Sequence, residues 1–482
     1  MIKRETLPGR NHIALLMVLF FCVFHWAAGQ ESSTLYYMKG VPQSYQVNPA
    51  TQPGCAGFLG LPVASPLQLF VENAGFSLED VIFPMGDSLV TFLHPEADKS
   101  DFLNGLSAVN NLQVFVSTNL LSFGIQKGDI YYTFDFAEKV NTRFSYNDDL
   151  FDFLLNGNER GDRFNFTNTN VDVTSYFEYA NGMSRIVNDR LTVGSRVKLI
   201  FGHANVSTKN KEISLETDED WTVNSNTEIR ISMPGLDIPI EEDGSFDMDT
   251  IGFDDDFDPF DLVQSAFGNV GLGLDLGMHF RLTEKITLSG SIIDLAGIRW
   301  SANPYTIRQN ASYVYKGIEI VPGDSTVMDN FLDSLQSTFS FTADQNPYYT
   351  MLPVKLYVGG SYQIIDQIGI GILSRTEYYK KRLREQLTLS ANFSPLKFLS
   401  FSLSYTIMNN TYNNFGFGFS SRLGPFNLYM ISDNIPLAYA VEQSSQMIIP
   451  YRAKVLNLRI GLNLAFGCGK VRKDLRDLPL IY

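Results

Sequence analysis

The sequence predicts an all-β fold: a transmembrane antiparallel β-barrel of about 14 strands (12–16), preceded by an N-terminal plug or periplasmic lead segment. Three observations carry that expectation. A secretory leader opens the chain, no later apolar run is long enough for a membrane helix, and period-two alternation recurs with an aliphatic face opposite a small polar one.

Composition narrows the classes first. Among 482 residues, 18% are charged, against about 25% in an ordinary soluble protein, and 13% are aromatic. The net charge of -15 argues against a nucleic-acid partner, because phosphate binding needs a basic surface. The apolar and aromatic content is too large for a disordered chain.

The leader is read at residues 1–29. Lys3, Arg4 and Arg10 form a basic region, Ile13 to Phe24 an apolar run, and Ala27-Ala28-Gly29 a small-residue cleavage point. Cys22 follows Phe20 and Phe21, the wrong neighbours for lipid attachment. Removing Lys3, Arg4, Arg10 and Glu5 subtracts a net +2 and leaves about -17 on the mature chain.

The strands come next. Leu399, Phe401, Leu403, Tyr405 and Ile407 alternate with Ser400, Ser402, Ser404 and Thr406. Val270 to Leu282 and Leu456 to Phe466 alternate in the same way, and shorter runs sit at 191–201, 229–233, 286–292, 387–393 and 415–422. The run from Val270 exceeds the soluble mean of about five or six residues and meets the roughly nine to eleven that a tilted membrane strand needs. A soluble secreted β-protein would more often carry Lys and Glu on its polar face; small polar residues suit a lumen. In hydrocarbon such a sheet must close, since a free edge cannot be satisfied.

Connections fit the same plan. Counting back from a last strand at about 452–466, turns at 423–425, 394–397 and 365–367 are periplasmic and short. Outer connections fall at 433–451, 409–413, 379–384 and 319–349, while the course of 300–315 stays open between strand and loop. Tyr131-Tyr132, Tyr348-Tyr349 and Tyr378-Tyr379 stand near strand ends, where interfacial girdles or ordinary strand aromatics are expected.

Charged residues on inward faces are the candidate site: Arg196, Lys198, Arg230, Asp275, His279, Arg281, Lys355, Arg422 and Arg459. They read either as a lumen that steers an anion or, preferably, as a charge network filling a closed barrel. Asp275 and His279 share a face but lie about 13 Å apart along a strand, too far to touch. The acidic outer loop 234–268 holds ten acidic and no basic residues between 241 and 261. Asp254, Asp255, Asp256 and Asp258 resemble the start of a calcium loop, but Pro259 and Ser265 stand where Gly and Glu are needed. That loop reads as a solvated surface or a loose divalent-cation site; no other cofactor is expected. His94, His203 and His279 have no metal-ligand spacing, and no nucleophile elbow, zinc helix or phosphate loop is present, so no enzyme is expected.

A resemblance rests on short motifs in a fixed order. They are Pro42-Gln43, Asn48-Pro49-Ala50, Gly60-Leu61-Pro62, Asn156-Gly157-Asn158 and Glu178 to Arg185, then Leu191 to Lys198, Gly202 to Asn205, Asp294 to Trp300, and Asp433-Asn434. In this order the chain resembles a family of Bacteroidota outer-membrane barrels of unassigned function. That family is in turn similar to the long-chain fatty-acid transporter type, and more broadly to the barrel that shuttles cargo in type IX secretion. Ala296 stands where the family's Asp-Leu-Gly has its Gly.

The resemblance implies a Gram-negative outer membrane and passive passage of a small amphipathic molecule. The alternative is a non-transporting scaffold for a surface or type IX secretion complex. Expected partners are outer-membrane lipid, a hydrophobic small ligand, and a surface or secretion-complex protein. The expected order is signal peptide (1–29), lead or plug with a first strand (30–107), barrel (108–466) and periplasmic tail (467–482). Cys55 and Cys468 both fall on the periplasmic side, where a disulfide pinning the lead to the barrel exit is permitted.

Overall fold

The computed structural model describes residues 33–468, except 86–87, 92–93, 95–98, 247–249, 255–257, 316–340, 409–410, 436–438, 442–447 and 451–453. The expected leader at 1–29 and the tail beyond 468 lie outside them. The alternating segments hydrogen-bond into one closed antiparallel barrel of 14 strands. The wall strands are β1 (Gly57–Gly60 continued by Leu67–Asn73), β2 (Asn110–Lys127), β3 (Ile130–Tyr146), β4 (Asn170–Asn188), β5 (Leu191–Thr217), β6 (Val270–Arg281) and β7 (Ile286–Trp300). They continue as β8 (Tyr348–Met351 and Val354–Ile365), β9 (Ile368–Tyr379), β10 (Arg382–Leu396), β11 (Leu399–Met408), β12 (Thr411–Leu423), β13 (Phe426–Ser432) and β14 (Val455–Phe466). Closure is direct: Gly57 of β1 faces Ile125 of β2 on one side and Phe466 of β14 on the other.

Turn chemistry sets one rim. Gly128 and Gly424, both at positive φ, begin the two-residue turns β2–β3 and β12–β13. Between β4 and β5 the Asn188 side chain accepts from the amides of Arg190 and Leu191, so the side chain closes the turn. The short turns expected at 365–367 and 423–425 are present, as 366–367 and 424–425, and the one expected at 394–397 falls at 397–398. Two outer connections are shorter than expected: Tyr379 pairs with Arg382 and Met408 with Thr411.

The faces are inverted relative to a soluble protein. On β11, Ser400, Ser402, Ser404 and Thr406 are buried, while Leu403 is 61% exposed. Leu389, Ile372, Val358 and Leu272 are exposed on neighbouring wall strands. The inward hydroxyls pair with one another, as Thr388 Oγ1 does with Thr406 Oγ1 at 2.9 Å. A closed sheet with aliphatic residues outward and small polar residues inward is the arrangement that hydrocarbon demands. Alternation also splits the tyrosine pairs. Tyr132, Tyr349 and Tyr378 point outward near the two rims, and Tyr131 and Tyr348 are buried. Leu403→Arg, at the middle of β11, is therefore expected to destabilise the folded barrel in lipid vesicles by about 2–4 kcal/mol. Urea midpoints in vesicles check this; an unchanged midpoint would mean the apolar belt does not face lipid.

One sequence expectation is corrected and one open stretch is resolved. The run at 229–233 belongs to an outer strand, Trp221–Ser232, and not to the wall. Residues 304–315 form a strand, Pro304–Tyr315, which pairs with it along its whole length. Both extend the upper half of β5, whose 27 residues outrun the wall because no lipid limits that end. Phe341–Asp344 pairs at the far side of Pro304–Tyr315, and Leu236, Ile238, Tyr305, Ile307 and Ala343 form a separate small core there.

Candidate functional site: the lumen and its outer vestibule

The lead segment, residues 33–56, is held inside the wall by contacts to strands on all sides. Its first turn, Thr34–Tyr37, is fully buried. The Thr34 amide donates to Asp433 Oδ1 at 2.6 Å, and its hydroxyl meets Ser404 Oγ of β11 at 2.7 Å. Tyr37 OH meets Ser289 of β7 and the Ile372 carbonyl of β9. Gln43 bonds Asn463 of β14, Ser291 donates to the Val47 carbonyl at 2.6 Å, and Ser184 of β4 donates to the Ala50 carbonyl at 3.1 Å. Tyr45 OH donates to Asp135 of β3 at 2.9 Å. Burial, and then the charge of Asp135, push the Tyr45 phenol well above its ordinary value, so it remains a donor.

Asn48-Pro49-Ala50 sits against glycine on two adjacent strands. A Cβ on Gly194 would fall 2.1 Å from the Pro49 carbonyl oxygen, and one on Gly277 2.2 Å from Asn48 Oδ1. Only hydrogen fits there, because the segment presses directly on the wall backbone.

Above the segment lies a buried charge network. Arg196 pairs with Asp135 at 2.6 Å and Asp275 at 2.9 Å. Lys198 meets Asp294 at 2.5 Å, Asp275 at 2.8 Å and Glu178 at 3.5 Å. Lys355 reaches Asp294 at 3.1 Å, and Lys139 reaches Glu178 at 2.7 Å. Arg459 donates to Gln46 and to Gln68. The remaining lumen space at this level is a cavity of about 70 Å3.

The sequence-predicted residues therefore divide. Arg196, Lys198, Asp275, Lys355 and Arg459 meet in the lumen. His279 is half-buried and bonds the lead segment instead, Nε2 lying 3.0 Å from Thr51 Oγ1. Three others fall elsewhere. Arg281 donates to the Asp189 carbonyl at the rim, and Arg422 lies beside Cys55 and the Lys397 carbonyl. Arg230 is on the outer strand beside Glu228 at 2.7 Å and over the Tyr348 ring. Parity along a strand predicts the face but not the height, so residues near strand ends were placed on the right face at the wrong level. Asp135, Lys139, Glu178 and Asp294 were missed.

Outside the network the mouth opens into a vestibule of about 660 Å3. The two-residue turn Lys380-Lys381 between β9 and β10 bends over it. Lys380 pairs with Asp172 of β4 and bonds Ser207 of β5, and Arg382 reaches Asn168. Arg143 of β3 pairs with Glu377 at 2.8 Å and Arg384 with Glu72 at 3.0 Å, tying β9 and β10 to the opposite wall. Leu352 and the Tyr379 ring give part of the vestibule an apolar lining.

Two other groupings were tested for chemistry. Glu138, Ser175 and His203 cluster on β3, β4 and β5, with Nε2 2.6 Å from Ser175 Oγ and 2.9 Å from Glu138 Oε1. Carboxylate and hydroxyl share one ring nitrogen while Nδ1 has no hydrogen-bond partner, so this is not the relay that activates a serine. In the acidic loop, Asp258 caps the helix Pro259–Ala266, with Asp261 completing the capping box. Asp254 donates its amide to the Gly235 carbonyl. Asp255 and Asp256 lie outside the described residues, and no metal-binding group of His, Cys, Asp or Glu occurs among those described.

Cys55 and Cys468 form a disulfide with their Cα atoms 4.0 Å apart. It fastens the lower end of the lead segment just beyond β14.

Several solved structures are similar to this chain over most of its length. The toluene transporter TbuX of Ralstonia pickettii is 10% identical with a TM-score of 0.38, over 88% of this chain and 93% of that one. A FadL homologue of Pseudomonas aeruginosa is 10% identical with a TM-score of 0.40, over 91% and 96%. The Pseudomonas putida toluene transporter TodX is 9% identical with a TM-score of 0.36, over 91% and 95%. No curated protein matches. A family model matches residues 49–433, most of the wall together with the Asn48-Pro49-Ala50 contact from Pro49 onward, and by that match the chain belongs to the Family of unknown function (DUF5723).

Proposed function

We propose that this chain is a gated barrel of a Gram-negative outer membrane. In this reading the lead segment is a plug, a small amphipathic molecule lodges in the outer vestibule, and it passes inward, passively, when the plug shifts. The observation that carries the reading is the contrast in space along one axis. The vestibule offers about 660 Å3 with a partly apolar lining and a basic rim, while the level below leaves about 70 Å3. A pocket of that larger size suits a small ligand, and the lower level stays closed while the plug is seated. In this reading the plug is held by hydrogen bonds, by packing of Leu35, Tyr36, Tyr37 and Met38 against Ile293, Tyr357 and Tyr429, and by the disulfide at its lower end, so its release needs no wall strand to break.

A second reading, a non-transporting scaffold for a surface or type IX secretion complex, is favoured by the outer sheet on β5, which stands clear of the wall and has its own core. Proteoliposome swelling with dodecanoate separates the two. Under the gated reading the native chain passes the solute slowly, and Cys55→Ser with Cys468→Ser raises the rate severalfold. Impermeability of both proteins would leave the scaffold.

A further inference from the structure

The chain is strongly acidic as a whole, yet its vestibule is basic. Among the cations lining it, Arg143, Arg230, Arg384 and Lys380 each face a carboxylate. Lys209, Lys381 and Arg382 are exposed and have no acidic partner among the described residues. All three line the same vestibule. Lys380 donates to the Thr208 carbonyl, which brings the turn bearing Lys381 onto the strand bearing Lys209, and Arg382 follows directly.

The turn itself is costly. Lys380 and Lys381 both have positive φ, 46° and 65°, where a two-residue hairpin ordinarily uses Asn-Gly. Each such lysine costs about 1 kcal/mol or more. Adjacent positive charges add repulsion at close range. Neither the turn geometry nor the local ion pairs need a second lysine at 381. A cavity of this volume is about 5 Å in radius, within a Debye length of about 8 Å, so the three charges act together on anything inside it. Low-dielectric walls concentrate that field.

We infer that the vestibule is a binding site for a multiply charged phosphoryl group, held by Lys209, Lys381 and Arg382. Three uncompensated cations in one cavity match a group of charge near -3, which a single carboxylate does not supply. Arginine adds a planar fork suited to phosphoryl oxygens, and the two lysines add mobile point charges. The group has two sources, a free phosphorylated solute or the phosphorylated headgroup of a glycolipid. The inference concerns the vestibule of the closed barrel and holds whether or not anything passes the plug.

The test is calorimetric titration of the full chain in neutral detergent, with two probes. One is pyrophosphate; the other is lipid A, a bisphosphorylated glycolipid, in mixed micelles. The triple variant Lys209→Gln, Lys381→Gln, Arg382→Gln is titrated beside the native chain, and its resistance to heating in detergent shows that it has folded. The expected result is saturable binding by the native chain, weakened at least tenfold in the variant and by raising salt from 50 to about 200 mM. Loss of pyrophosphate binding identifies a free solute, and loss confined to lipid A identifies a headgroup. Absence of binding by both probes, or binding that the variant leaves unchanged, overturns the inference. Because binding is read without transport, its failure is distinguishable from failure of the gated reading.

Discussion

Replacing Lys198 by Met is expected to destabilise the barrel by about 3–5 kcal/mol, the usual cost of breaking a buried charge cluster at one partner. Lys198 is 1% exposed and faces three carboxylates, Asp294, Asp275 and Glu178. Deleting the ammonium leaves these acids close together with less cation than before. Arg196 keeps its contacts to Asp275 and Glu178, and Lys355 and Lys139 keep one each, but none fills the vacated centre. Urea midpoints followed by intrinsic fluorescence in vesicles measure the loss. Adding Asp275→Asn to Lys198→Met removes one stranded charge and should recover part of it. A single-variant loss under about 1 kcal/mol would show that the network is solvated, as surface pairs are.

The second large effect is on closure. Gly194→Val with Gly277→Val places side chains where Pro49 and Asn48 now lie, at distances of 2.1 and 2.2 Å that no real contact reaches. The wall strands there are paired on both sides, whereas the lead segment belongs to no strand of the sheet and is held by side-chain hydrogen bonds and packing. The lead segment is therefore expected to give way before the wall. In planar bilayers the native chain should be nearly silent and the double variant should carry a steady current. Gly290→Val is the control, since its Cβ finds nothing nearer than 3.6 Å and should leave the barrel silent. A silent double variant that inserts normally would show that the lead segment does not close the lumen.

Much of this was legible in the sequence, and the divide has a physical cause. Alternation is a local property, so Leu399 to Met408 announces both its faces without reference to any neighbour. Closure follows from the lipid face alone. The partners of Lys198 are different. Asp294 adopts a positive φ and β6 slips register against β7 between Leu274 and Leu276, which turns Asp275 and Asp294 toward the same cation. Such a slip has no signature in period-two spacing. Asp135 shares the parity of Tyr131 and Thr133 and was within reach, but β3 also carries Glu138 and Lys139 in succession, which blurs its alternation. The seating of Asn48-Pro49-Ala50 on Gly194 and Gly277 depends on three separate stretches meeting, and glycine at either position reads equally well as an ordinary strand residue.

The bond between Cys55 and Cys468 has a consequence for how the cylinder opens. It joins positions 413 residues apart, immediately outside β1 and β14. Every other wall pairing links strands that are neighbours in the chain or joined by one connection, so the β1–β14 zip is the contact with the largest loop to close and the last to be favoured entropically. Unzipping it exposes two bare edges to hydrocarbon at once, which makes opening there all-or-none. A covalent stitch at its lower end keeps the two edges within reach of each other, so a barrel that breathes at this line recloses on itself before another chain can pair with it.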